Sequence, residues 1–298
     1  MPIAVIALFI TGKYTKMSNQ ENPLKRFYRT EVFTVALPSR GAYYSDDVVD
    51  LDDNNEVGVM PMTAADELML KNPDALLSGK GLANVIRSCV PAVKNPQKLL
   101  ACDVEVLMIA IRRASFGDTT DLVANCPECE HRNTYELDLD GLLNRTEKLD
   151  MSYEVVLPQG LTVFLQPGTF QTMNKQNKVI FENSKVQRAL GNAALTDDAA
   201  LAILTKAFND LKKLNFELIA DSIVKIVFTD ENGEEQEITK KNYIDEYIAN
   251  VEKSAVDKIA EKVEEIAKIG LERELDVKCT ECGHKWSAPI EFNPVNFS

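Results

Sequence analysis

The sequence predicts an α+β protein: a mixed N-terminal domain followed by a small strand ribbon that a large, mostly helical insertion interrupts. Three observations predict it. Two Cys-x-x-Cys pairs, Cys126/Cys129 and Cys279/Cys282, each lie between stretches that read as short strands. Residues 130–278, which separate the pairs, carry several apolar stripes at helical spacing. Ahead of the first pair, β-prone segments alternate with helix signals. The division that follows is an arm over 1–29, an α+β domain over 30–118, the first ribbon half over 119–145, the insertion over 146–272 and the second ribbon half over 273–298.

The cysteine pairs carry the sharpest chemistry. Thr119–Ala124 and Asn133–Asp140 flank the first pair, and Glu274–Lys278 and Lys285–Phe292 flank the second. Each pair therefore reads as a knuckle at a hairpin tip. Four thiolates, Cys126, Cys129, Cys279 and Cys282, are the complement of a closed tetrahedral zinc site, and a closed shell leaves no position for a reacting water. The Zn2+ expected here is structural. Unmetallated thiols or a redox pair are the alternative. An ordinary ribbon separates its knuckles by ~15–20 residues, so this spacing requires either a long-range clip within one chain or a pairing of knuckles between subunits. The first is simpler, and the metal then helps to offset the entropy of closing the loop. His131 and His284 are the only histidines, both beside the knuckles. Either could replace a cysteine as ligand, or stand exposed beside the site.

Composition narrows the function. Of 298 residues, 46 are acidic and 33 basic, a net charge of −13 that opposes general nucleic-acid binding. Six cysteines, four of them in pairs, suit a reducing compartment. Cys89 and Cys102 sit among apolar residues and read as buried thiols. Pro2–Ile10 is apolar but too short to span a bilayer. Lys13 and Lys16 follow it, unlike a secretory signal. The folded chain is expected to begin near Phe27.

In chain order, Glu31–Leu37 alternates as a strand with Phe33, Val35 and Leu37 on one face, and Pro38–Gly41 turns it. The acidic run Asp46–Glu56 matches no calcium loop and reads as solvated. Glu56–Met60 is a strand. Thr63 caps a helix to Lys71, with Asp66 and Glu67 in its first turn. A loop with a turn at Ala75–Leu77 leads to a helix over Leu82–Val90. Asp103–Ala114 is a helix whose buried face is Val104, Leu107, Met108 and Ile111. Arg112 and Arg113 close it, one pairing with an internal carboxylate or a partner subunit, and Gly117 ends it. Beyond the first knuckle, Tyr153–Leu157 and Leu161–Leu165 form a hairpin around Pro158–Gly160. Thr172–Leu190 is helical and Thr196 starts another helix. Phe216–Phe228 reads as helical in its first part and extended in its last. Lys240–Asn250 is a short helix. Val251–Lys268 shows a stripe of Val256, Ile259, Val263 and Ile266, packing internally or on another chain, and Gly270 stops it.

No histidine arrangement, paired carboxylate or phosphate loop stands out as catalytic. The ordered set Leu37-Pro38-Ser39-Arg40-Gly41 with Tyr44, Met60–Glu67, Val85–Val90, and Asp103 through Cys129 (including Ile111–Gly117) resembles the baseplate hub subunit family of T4-like contractile-tailed bacteriophages. The resemblance covers residues about 30–145. It implies a non-enzymatic structural subunit of the tail baseplate, or a transient chaperone of hub assembly. The implied partners are other phage tail or baseplate proteins. Self-association through the helical stripe or the knuckles is a further option, and the charge balance and short apolar stretches predict neither a nucleic-acid nor a membrane partner. The implied location is the virion tail baseplate, and the host cytoplasm during assembly. A zinc-ribbon module that binds nucleic acid is the remaining alternative.

Overall fold

The computed structural model describes residues 22–72, 79–158, 160–192 and 197–290. The N-terminal arm up to residue 21, the turn at Ala75–Leu77, Gln159 of the hairpin turn, the Thr196 start and everything after Ile290 lie outside the described residues. Met1–Thr30 is a unit of its own. Within it, Asn22 Oδ1 accepts the Leu24 N–H at 3.0 Å and opens a 3-10 turn over Pro23–Phe27.

The rest of the chain, Glu31–Ser298, is a second unit. Strand β1 (Phe33–Ala36) pairs antiparallel with β2 (Glu56–Val59), Val35 opposite Val57. Helix α1 (Ala64–Leu70) starts as its sequence requires. Thr63 Oγ1 accepts the Asp66 N–H, and the Asp66 carboxylate accepts the Thr63 N–H at 2.8 Å, a reciprocal cap that satisfies two orphan donors. Helix α2 (Lys80–Cys89) leads to α3 (Ala101–Phe116). The sequence marks one buried face on α3. In the structure Cys102, Asp103, Val106, Ile109 and Ala110 are buried as well. An almost unbroken apolar run makes a helix enclosed on all sides, and α3 packs against β1, β2, α2 and the elements that follow it.

Strands β3 (Thr119–Asn125) and β4 (Arg132–Asp138) form the first hairpin, and α4 (Leu139–Asn144) folds back onto α3. Then come β5 (Tyr153–Val156), β6 (Thr162–Leu165), helices α5 (Phe170–Asn192) and α6 (Asp197–Asp221), β7 (Ile223–Thr229), β8 (Glu235–Ile238), α7 (Lys241–Asn250) and α8 (Lys253–Ala267). The second hairpin is β9 (Glu274–Lys278) with β10 (Lys285–Pro289). The hairpin read from the sequence is part of a four-stranded antiparallel sheet, β5-β6-β7-β8, with Val163 opposite Ile226. The pairing of β6 with β7 spans the whole α5–α6 excursion, so no local pattern announces it. This sheet and α8 enclose a second core, in which Val163 and Ile259 are fully buried. The α8 stripe thus packs internally, through Ile259 and Ile266, with Val256 and Val263 half-buried.

A buried carboxylate ties the first core together. Asp103 Oδ1 accepts the Ser39 N–H at 3.0 Å, and the Tyr44 hydroxyl donates to Oδ2. The Tyr44 oxygen in turn accepts the Leu100 N–H at 2.7 Å. Neighbouring segments are fastened the same way. The Met60 N–H donates to the Cys89 carbonyl at 2.8 Å, and the Met62 N–H to Ser115 Oγ at 2.8 Å. The acidic run is a surface loop, with Asp47 paired to Lys98 and Asp50 to Lys94.

Burial raises the Asp103 pKa against the hydrogen bonds from Ser39 and Tyr44, which lower it. The folded chain therefore holds this proton more tightly than the unfolded chain. The stability it contributes is present below the ordinary aspartate range and is lost as pH rises through the folded value. Tyr44→Phe strands both the carboxylate and the Leu100 N–H, and is expected to cost about 2–3 kcal/mol. Tyr43→Phe removes only an exposed bond to the Asp150 carbonyl and is expected to cost under about 1 kcal/mol. Denaturant unfolding of the two variants checks the contrast.

Candidate metal centre

The two hairpins come from distant parts of the chain and meet at their tips. Cys126 Sγ lies 3.6 Å from Cys282 Sγ, and Cys129 Sγ lies 3.6 Å from Cys279 Sγ. All four sulfurs fall within 4.8 Å of one another. A tetrahedron with ~2.3 Å Zn–S bonds has edges of about 3.8 Å, so the spacing fits one metal ion. The separations are far beyond the ~2.05 Å of a disulfide, and the cysteines are free thiols. The knuckles meet within one chain, as the simpler reading of the spacing has it. Neither histidine joins the group.

Each knuckle is built by the same bonds at the same offsets. The Cys126 N–H donates to the His131 carbonyl at 2.9 Å, and the Cys279 N–H to the His284 carbonyl at 2.8 Å. The Glu130 and Gly283 N–H groups return to the carbonyls of Cys126 and Cys279 at 2.9 and 3.1 Å. This turn needs a left-handed residue after the second cysteine. Gly283 supplies it freely at φ 75°, whereas Glu130 adopts φ 57° against its own Cβ. The turns place one cysteine of each pair, Cys126 and Cys279, inside, and leave Cys129 and Cys282 at the surface.

Asn133 joins the two knuckles. Its side chain is buried, and its Oδ1 accepts both the N–H and the hydroxyl of Thr280 at 2.9 Å. Its Nδ2 donates to the His131 carbonyl at 2.9 Å and points at Cys279 Sγ, 3.7 Å away. The Tyr135 hydroxyl adds a bond to the Lys278 carbonyl at 3.0 Å, and its ring meets Trp286 edge-on. His284 stacks with Trp286, the ring centroids 6.1 Å apart. Sequence reasoning missed Asn133, Thr280 and Tyr135. The available signal was Asn133 itself, a poor strand former on the face of β4 that also buries Leu137.

The electrostatics favour a cation. Burial pushes the Cys279 thiol up, but N–H groups of Cys282 and Glu281 and the Asn133 amide outweigh it and lower its pKa to about 6. Cys129 receives a favourable bond from the His131 backbone, yet burial and the three neighbouring sulfurs raise it to about 12. The polypeptide alone thus readies one thiolate and disfavours another. A dication among the four sulfurs removes that conflict. Cys89 and Cys102 are buried elsewhere, and burial pushes the Cys102 thiol further from ionisation. Among the described residues no other group of three or more metal-binding side chains converges, and the acidic run at 46–56 forms no cation cage.

The family model described as "T4 bacteriophage base plate protein" matches residues 43–296, a span that contains both knuckles and the whole insertion. No curated protein and no solved structure matches the chain.

Asn133→Ala removes the acceptor of the Thr280 N–H and the amide beside Cys279. It is expected to weaken metal affinity about 10–100-fold while leaving all four sulfurs in place. Competition against a chromophoric chelator measures it.

Proposed function

The chain belongs to the family of T4 bacteriophage base plate proteins, and from that membership we propose that it is a subunit of the hub region of a contractile-tail baseplate, held in shape by one structural zinc. The chain is a structural protein and not an enzyme. Cys126, Cys129, Cys279 and Cys282 are the proposed ligands. The observation that carries the reading is the extent of the match, which runs through both knuckles rather than stopping at the first.

In this reading the subunit acts through protein contacts with other tail proteins. It is made in the host cytoplasm and resides in the virion baseplate. The stretch 146–272 is an inserted element that the ribbon halves 119–145 and 273–298 hold at both ends. The closed sulfur shell supports a stabilising rather than a reacting metal.

Metal analysis of the purified protein is expected to give one zinc per chain, and the Cys279→Ser, Cys282→Ser double variant none. Losing this clip costs about 3 kcal/mol, the scale of a covalent cross-link, and lowers Tm by about 6–12 °C. Undiminished zinc in the double variant overturns the ligand assignment. Mass spectrometry of purified virions separates a resident subunit from an assembly chaperone. The proposal expects the chain at stoichiometric level, and its absence from finished particles overturns the resident role.

A further inference from the structure

Strand β1 has one bonded edge and one open edge. Its pairing with β2 sets Ala36 opposite Glu56. Both backbone groups of Glu56 turn away from β1, the N–H to the Asp52 carboxylate at 2.8 Å and the carbonyl to the Asp52 N–H at 3.0 Å. Ala36 and Glu56 are therefore a non-bonded pair of the ladder, and the two-residue alternation of an antiparallel pair puts Thr34 in the same state. The N–H and carbonyl groups of Thr34 and Ala36 thus point away from β2, and among the described residues no backbone group bonds to them. Phe33–Ala36 carries neither a charge nor a proline, residues that commonly protect such an edge. A cleft of about 260 Å3 runs along it. One wall is the unbroken stretch 33–38, and the other is Leu143, Asn144, Thr146 and Lys148. The Leu149 N–H joins the two walls at the Pro38 carbonyl, 3.0 Å away.

We propose that β1 is a docking strand for an extended, acidic segment of another protein, which joins the sheet as a third strand in this cleft. The open edge selects an extended main chain, because outward N–H and carbonyl groups at every second residue are met by the backbone of a strand. The cleft is smaller than the ~300 Å3 at which small-molecule pockets begin, and its strand-lined wall suits a main chain rather than a compact ligand. Charge selects the side chains. The two lining carboxylates are engaged, Asp140 with Arg113 at 2.8 Å and Glu56 with the Thr34 hydroxyl. Arg40 and Lys148, also in the lining, are exposed, and among the described residues neither has an ion-pair partner. The unpaired charge beside the edge is thus positive, in a chain whose net charge of −13 opposes an acidic partner elsewhere. The inference is independent of the metal and of the place in the baseplate.

Fluorescence anisotropy tests it, with the zinc-replete full chain titrated into a labelled peptide of alternating aspartate and valine. The expected result is saturable binding with a dissociation constant of roughly 10–500 μM, and binding at least tenfold weaker when lysine replaces aspartate in the peptide. Arg40→Asn with Lys148→Gln removes both unpaired charges, and asparagine readily adopts the left-handed φ of 47° at residue 40. This variant is expected to bind the acidic peptide at least tenfold more weakly. Thr34→Pro removes one outward N–H at an edge position, where proline is tolerated, and is expected to weaken binding at least fivefold. Circular dichroism and melting show whether each variant is folded. No saturable binding of the acidic peptide up to about 1 mM, equal binding of the lysine peptide, or undiminished binding by the folded charge variant overturns the proposal. Dimerisation of the wild-type chain in sedimentation velocity, abolished by Thr34→Pro, assigns the edge to a second copy and overturns it as well.

Discussion

Four sulfurs within 4.8 Å are the constraint on which the ribbon depends. Two thiolates about 4 Å apart repel by about 4 kcal/mol at an effective dielectric of about 20, and no lysine or histidine side chain of the described residues enters the group to offset this. The donors that do reach the sulfurs are backbone N–H groups and one amide, and they suffice for Cys279 but not for Cys129. Left to itself, the cluster must keep protons on some of its thiols. A single dication turns the repulsion into attraction and couples ligand deprotonation to closure of the two hairpins. Asn133 joins the knuckles without a metal, because its side chain accepts the Thr280 N–H and points its amide at the Cys279 sulfur.

The loop between the knuckles does not depend on the metal alone. Closing a loop of more than about 100 residues costs roughly 5 kcal/mol of chain entropy, and several contacts share that cost. Where the chain leaves and rejoins the first core, the Glu147 N–H donates to the Gly270 carbonyl at 2.8 Å and Leu271 is buried in the core. Gly270 has φ 127°, a conformation that strains any side chain, and a Cβ there would lie 3.1 Å from Cys102 Cβ, a tight contact that the neighbouring chain must shift slightly to accept. The Arg145–Glu272 ion pair beside them is about half exposed on both sides and contributes little. The apolar and backbone contacts therefore decide the path, and the surface ion pair follows it.

Legibility in the sequence tracked the range of the interaction. The Thr63 cap, both knuckle hairpins, α2, α7 and α8 were readable because each is specified within a few residues. The four cysteines were readable despite their separation, since metal ligation leaves a spacing signature that survives any insertion. What escaped was long-range and polar. Asp103 sits in a helix whose apolar neighbours announce only a hydrophobic face, yet its partners Ser39 and Tyr44 lie some sixty residues upstream. The β6–β7 pairing crosses two long helices. Asn133 was visible only as a poor strand former, because its importance comes from Thr280, which is distant in sequence. The segments that carry the family resemblance prove to be those that bond to one another: Ser39 and Tyr44 to Asp103, and Met62 to Ser115.

One helix explains why the knuckles find each other. Asp103, at the start of α3, anchors the loop at residues 39–44. Two residues on, Glu105 receives Arg273, whose carbonyl accepts the Ile290 N–H at 2.7 Å and so fixes the open end of the β9–β10 hairpin. At the far end Arg113 binds Asp118 and Asp140, at 2.8 Å each, on either side of the β3–β4 hairpin. Glu105 and Arg113 are about 12 Å apart along the helix axis, at 1.5 Å per residue. The Glu105 carboxyl is mostly buried, which raises its pKa, and the Arg273 guanidinium opposes that rise. Both hairpins are thus tied at their bases to opposite ends of one enclosed helix. A metal held by the proposed ligands would join at their tips two hairpins that this helix ties at their bases, leaving less chain entropy for the metal to offset.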